Sequence, residues 1–561
     1  MRTAKALALL LALALLLCGC GTTNTSSTNS QFTESSATAL PGSMRVLYSS
    51  KDTLNPYSCS TLQNRIVCQL LFDPLYKLDT AYNPVACLAS GAKVQGNTCT
   101  VTLKNAKFSN GSAVTPADVV FSFEKAKSSA TKYAAALSTV SKAAAEENGV
   151  RFTLTRNDSY CLNLLTFPII KSGSDNLKNN DNKSLPPIGC GRYVFNESSA
   201  ELTASPGYYG AAPKVSKIQT VDCPDDESVL EAVESQMVDL YYTELSSSNI
   251  PKMNGIAKNV PQNHLVFLGV NPAGALQNVY LRQAVSAALG REKLCREAYY
   301  SKAQPAVGLF PENWAPVQNR QTIEKQQNLE IAAQNLTLAG YTEKNSSGLY
   351  LTRQKKPLTL TLIVNSENAY RTAAAKLLVT QLKAAGITLQ LRAENYSQYT
   401  ADIAAGRYDL YLSEVRLEDN MDPGCLAELY SGNLLSGKAV PSSSAASSAA
   451  QSSSGSGSSK NQSSQSAAGS ASGSDAQGSA GTTASSATSS ATSSAPVQEI
   501  TLTTANACKG FYGGTLQITD IVTAFTAELP VIPVLFKSGL AIYNNGFEGL
   551  TPTVTDLFYG I

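Results

Sequence analysis

Residues 107–122 read KFSNGSAVTPADVVFS, and the second half of that stretch announces a helix. Thr115 suits the N-cap, Pro116 the first helical position, and Asp118 the first turn, where a carboxylate complements the helix dipole. Val119, Phe123 and Ala126 then give an apolar stripe at helical spacing. Just upstream, residues 98–103 alternate as a short strand. Further out, Val46, Leu47 and Tyr48 predict a first strand over 44–48, and Leu62, Ile66 and Leu70 a helix over 62–71. Long helices are predicted over 279–299 and 369–385, the second stopped by Gly386, with strands over 387–391 and 408–412. This alternation predicts a layered α/β fold.

The chain has 561 residues, 43% of them hydrophobic and 15% charged. From 441 to 495 it is almost wholly Ser, Ala, Gly, Thr and Gln, with Lys460 and Asp475 its only charges, which reads as a disordered insertion at about 437–498. A net charge of +2 gives no electrostatic reason to expect nucleic acid as a partner. The one histidine, His264, excludes a His-rich metal site and leaves a Ser-His-Asp triad a single candidate base. No cofactor or metal motif and no convincing catalytic set is present, so the sequence predicts a protein that is not an enzyme.

Arg2 and Lys5 precede an Ala/Leu run over 6–17, too short to span a bilayer and suited to a signal peptide over 1–19. The run ends in Leu17-Cys18-Gly19-Cys20, which resembles the bacterial lipobox. That resemblance implies cleavage before Cys20, lipidation of its thiol, and a flexible tether over 20–43 at the outer face of the membrane.

Several segments together resemble the large solute-binding proteins of bacterial peptide-type ABC importers. Leu54-Asn55-Pro56 with LFDPLYKLD at 71–79 is similar to that family's opening, and residues 107–122 to its signature KFSDGTPVTAEDVVFS. IGCGRY at 188–193 stands where the family has GTGPY, PGYYG at 206–210 where it has NPDYWGG, and LRQAVSAAL at 281–289 resembles its RQAISYAI helix. The resemblance implies a two-lobed Venus-flytrap fold with an extra domain in one lobe. Mapped here, the first lobe is about 44–82, 187–264 and 530–561, the extra domain about 83–186, and the second lobe about 265–529. It implies a monomer that delivers peptides or peptide-like solutes to an ABC permease. A receptor for an oligosaccharide or metal chelate, and a surface lipoprotein for sensing, adhesion or chaperoning, are the alternatives.

In the family's oligopeptide binders, the strand and turn matching 408–423 carry an aspartate that pairs with the peptide's amino terminus. Counting from Tyr408-Asp409 places Glu418 there, and counting back from Pro423 places Asp419 there, because this chain has one extra residue between those anchors. The tryptophan usual before the turn is replaced by Val415 or Arg416. Glu414 and Arg416, two apart on a strand, share a face and can present an anion and a cation to the cleft, or pair with each other. Asn64 is a candidate cleft residue by the same resemblance, the alternative being a solvent-facing helix position. Trp314, the only tryptophan, is a core residue or a stacking platform for ligand. Of twelve cysteines, Cys18 and Cys20 belong to the leader and anchor, which leaves ten able to pair or stay free. Cys425 and Cys508 flank the Ser/Ala tract and can close its base as a disulfide, or remain buried thiols.

Overall fold

The computed structural model describes residues 40–245, 250–424 and 502–561. Cys20 and its expected lipidation, the tether up to residue 39, the tract at about 437–498 and Cys425 lie outside the described residues. Cys508 is a free, buried thiol. No described helix is long and apolar enough to cross a membrane.

The helix announced at Thr115 runs over Pro116–Ser128. The Thr115 amide and hydroxyl donate to Asp118 Oδ2 at 2.9 and 2.6 Å, and the Asp118 amide donates back to the Thr115 hydroxyl, which closes a capping box. The helix packs on a four-stranded antiparallel sheet ordered Ala89–Gln95, Thr98–Leu103, Gly149–Leu154, Val140–Ala145. Phe123 from the helix meets Phe152 and Phe167 with ring centres 5.9 and 6.2 Å apart.

An eleven-stranded mixed sheet forms the frame. From one edge it runs Thr388–Glu394, Thr359–Asn365, Leu410–Arg416, Ile256–Val270, Val531–Tyr543, Leu240–Thr243, Ser43–Tyr48, Lys217–Asp222, Glu201–Ala204 and Tyr193–Asn196, with Ala303–Pro305 also on Val531–Tyr543. The two long central strands, Ile256–Val270 and Val531–Tyr543, serve two hydrophobic cores. Ala541 and Tyr543 lie in the core that includes Met44 and Val67, while Ile532, Val534 and Leu535 lie in the core that includes Leu360 and Leu378. Pairing between these strands shifts register between Val266 and Phe267 and is interrupted between Val260 and His264, a break called the seam below.

The single helix predicted over 279–299 is two, Val279–Ala287 and Arg291–Glu297. Tertiary bonds replace the helical ladder at the break. Gln381 accepts from the Gly290 amide at 3.0 Å and donates to the Gly290 carbonyl at 3.2 Å. Fully buried Arg291 donates to the carbonyls of Ser286, Glu324 and Pro533, each at 2.9 Å.

Three of the motif segments meet around one buried ion network. Asp556, near the end of the chain, accepts from Arg192 Nη2 at 3.0 Å on both oxygens and from Lys77 Nζ at 3.0 Å. Lys77 Nζ also lies 3.1 Å from Asp73 Oδ1, while Asp73 Oδ2 accepts the hydroxyls of Tyr208 and Tyr209 at 2.6 and 2.7 Å. Gly191, beside Arg192, must be small because a Cβ there would meet the Leu71 carbonyl carbon at 2.4 Å and the Leu70 oxygen at 2.5 Å. Gly191→Ala is therefore expected to cost about 1–3 kcal/mol through overpacking. The check is the urea midpoint, and an unchanged midpoint would show that these backbones can part freely.

Candidate functional site

The strand Leu410–Arg416 ends at the seam, and the turn after it is held from several sides. The Leu417 amide donates to the Asn263 carbonyl at 2.8 Å, and the Met421 amide to the Glu418 carbonyl at 2.8 Å. Met421, which closes this Glu418–Met421 turn, takes a left-handed φ of 56°. Arg416 Nη2 donates to Asp419 Oδ1 at 3.0 Å, and Asn263 Nδ2 to the same oxygen at 3.2 Å.

The segment 156–163 grips the turn from the side of the four-stranded sheet. Asn163 Nδ2 donates to the carbonyls of Asp419 and Tyr82 at 2.9 and 2.8 Å, and Asn420 Nδ2 to Asp158 Oδ2 at 2.7 Å. Arg156 pairs with Asp422 and lies 3.9 Å over the Tyr512 ring, whose hydroxyl also donates to Asp422. Tyr160 packs edge-on against Trp314 at 4.8 Å.

Around Arg416 gathers a cluster of charged side chains, called the recess below. The Arg416 side chain keeps 30% of its surface open, yet burial is the leading influence on its guanidinium. The carboxylates of Asp419, Glu418 and Glu244 outweigh that burial and raise its pKa. Lys132 repeats the pattern. Its side chain is exposed, but burial leads in lowering its pKa, while Asp419, Arg416, Glu244 and Arg65 all act on its ammonium. Burial also pushes the Glu418 carboxyl up, against the pull of Arg416, and Glu418 Oε2 is buried with no hydrogen-bond partner. Tyr242, whose hydroxyl accepts from Gln262 Nε2 at 2.9 Å, feels Glu244, Arg65 and Arg416 and completes the wall.

A model of the bacterial extracellular solute-binding proteins, family 5 (middle region), matches residues 83–433, more than half of the chain. The chain belongs to that family. A Brucella abortus (strain 2308) protein named for ABC-transporter peptide binding is 26% identical over 255 residues, covering 42% of this chain and 48% of the relative. The matched stretch thus spans about half the length of such curated relatives. Among solved structures, the Brucella suis NikA in complex with Fe(III)-EDTA has a TM-score of 0.60 at 17% identity, covering 92% of this chain and 98% of that one. The periplasmic murein tripeptide-binding protein MppA, in an unliganded open form, has a TM-score of 0.62 at 16% identity, covering 91% and 94%. At such identities the likeness establishes the fold, the two-lobed binding-protein architecture with an extra domain in one lobe.

Arg416, Glu418 and Asp419 therefore come together at the seam, with Arg416 paired to Asp419. Glu414 does not pair with Arg416. Its Oε1 is 3.4 Å from Lys537 Nζ and 4.0 Å from His264 Nδ1. Burial and then Lys537 push the His264 pKa down to about 3, so His264 is neutral and Lys537 is the partner that counts. Asn64 is fully buried rather than solvent-facing: its amide accepts from the Ser49 amide at 2.9 Å and donates to the carbonyls of Ser49, Asp52 and Thr53. Trp314 is 2% exposed in a core with Phe310 and Met421, so its ring is packing rather than an open platform.

Sequence reasoning missed Arg65, Lys132, Glu244 and Tyr242. They come from three segments far apart in the chain, and only the YYTE run at 241–244, aromatics beside an acid, carried any local signal.

Proposed function

We propose that this family member is a solute receptor of an ABC importer, holding a peptide or peptide-like zwitterion in the seam recess and presenting it to the permease. One observation carries the ligand class. Lys132 and Arg65 on one hand, Glu418 and Glu244 on the other, share the recess without an ion-pair partner among the described residues. A ligand bearing both an ammonium and a carboxylate can pair with both kinds at once. The peptide-binding names of the Brucella relatives agree with this reading. Among the described residues no group of three His, Cys, Asp or Glu is placed to hold a metal ion, which weighs against direct metal capture.

The same reading anchors the receptor through lipidated Cys20 at the outer face of the cell membrane and treats it as a monomer. It divides the chain into a first lobe of about 44–82, 187–264 and 530–561, an extra domain of about 83–186, and a second lobe of about 265–529.

The test is ligand-dependent thermal stabilisation. Peptides of two to five residues at a hundred times Kd are expected to add about 2.7 kcal/mol by mass action. Stabilisation by oligosaccharides or by nickel–histidine chelates, with none from peptides, would replace the peptide reading with the corresponding solute.

A further inference from the structure

The recess contains cations of two kinds, and only one kind is free to meet an anion. Arg416 is bonded to Asp419 at 3.0 Å, and on the same strand Glu414 has taken Lys537. Lys132 has no carboxylate within ion-pair distance among the described residues. Its ammonium lies 5.5 Å over the ring of Tyr133, whose edge meets Tyr57 with centres 6.3 Å apart. These contacts fix the short helix Lys132–Ala136 against the loop that leads into the helix Leu62–Leu71, and Arg65 is exposed on that second helix. Lys132 and Arg65 are both exposed, and the charges of Asp419, Arg416, Glu244 and Arg65 all act on the Lys132 ammonium.

We propose that Lys132 is the anion-binding group of the recess and takes the terminal carboxylate of the solute, with Arg65 as the second cation of that end. This inference rests on the receptor reading above and adds to it the residue that reads the ligand's negative end. The extra domain then has a part in recognition, since it supplies the cation. The ammonium end of the same ligand points to Glu418, whose buried Oε2 lacks a donor, and to Glu244. Burial lowers the Lys132 pKa and so disfavours its charged form in the empty recess. A carboxylate reverses that influence. Lysine suits the role because its ammonium is a compact charge on a flexible stem, able to follow a carboxylate whose position changes with ligand length.

The experiment compares oligoalanines of two to five residues, as free acids and as C-terminal amides, by titration calorimetry on the full chain and its Lys132→Met and Lys132→Arg variants. Wild type is expected to prefer the free acid by at least about tenfold, since one charge-assisted bond is worth about that much. Lys132→Met should reduce the preference to about threefold or less by weakening the acid alone, and Lys132→Arg should keep most of it. Unliganded Lys132→Met should melt close to wild type, because Lys132 is exposed and loses only its contact with the Tyr133 ring, so a lost preference would not reflect lost folding. A wild type indifferent to amidation, or a Lys132→Met variant with the full preference, overturns this inference and leaves the receptor reading standing. A wild type that binds neither form of any oligoalanine overturns the peptide reading and this inference together.

Discussion

Asp556→Ala is expected to destabilise the folded chain by about 3–5 kcal/mol at neutral pH, the cost of leaving buried charges without their partner. Arg192 would keep a single carbonyl bond, to Phe558 at 3.0 Å, and Lys77 would keep only Asp73. Residues 555–558, which reach back to Leu78, Gln69 and Tyr543, would lose their central tie. The pH dependence follows from the same geometry. Burial alone would raise the Asp556 pKa, but Arg192 and Lys77 bring it down to about 2. A carboxylate whose folded pKa lies below its unfolded value of about 4 contributes stability that is present above pH 4 and fades as pH falls toward 2. The stability gap between wild type and Asp556→Asn should therefore be widest near pH 7 and shrink across that interval. Urea titrations at several pH values give the measurement. A gap that does not change with pH would mean that Asp556 is not held ionised by its cations.

The fate of the motif segments shows what kind of information the sequence carried. LFDPLYKLD, IGCGRY and PGYYG reveal the family, and in the structure Asp73, Lys77, Arg192, Tyr208 and Tyr209 all serve the network around Asp556. They are packing and ion-pair residues of the frame, and a frame shared by receptors of different solutes is legible in any one of them. Local rules also read well where local forces decide. The Thr115–Asp118 capping box is complete within four residues, and the helix Ala369–Ala384 stops at Gly386 with φ 83°. They failed at 288–290, where Gln381 and the Arg291 guanidinium cut one apolar stripe into two helices. Neither contact leaves a periodic trace. The recess was least legible, because Arg65, Lys132, Glu244 and Arg416 come together only after four remote segments converge. The Glu418/Asp419 ambiguity had the same origin. Both residues lie in one turn with Met421 in the left-handed region, and counting from either flank does not see the turn's conformation.

Arg416→Ala is expected to weaken solute binding by about 2–5 kcal/mol, as truncating one partner of a desolvated charge pair does. That number alone would not say whether Arg416 touches the ligand. Asp419 is only 4% exposed, and without Arg416 its charge would retain Asn263 as its only side-chain donor, so the turn itself would loosen. The two effects separate in a double-mutant cycle with Asp419→Asn. Either single change should destabilise the unliganded protein by more than the pair of changes together, since removing both charges leaves nothing unpaired in the turn. Folding stability is thus expected to recover in the double variant, with a coupling of about 1–3 kcal/mol measured by urea titration. Binding should not recover, because the recess then lacks both the cation that balances Glu418 and Glu244 and the anion that acts on Lys132. If affinity for the peptide returned along with stability, the Arg416–Asp419 pair would be a brace for the turn, and recognition would pass to Lys132, Arg65, Glu418 and Glu244 alone.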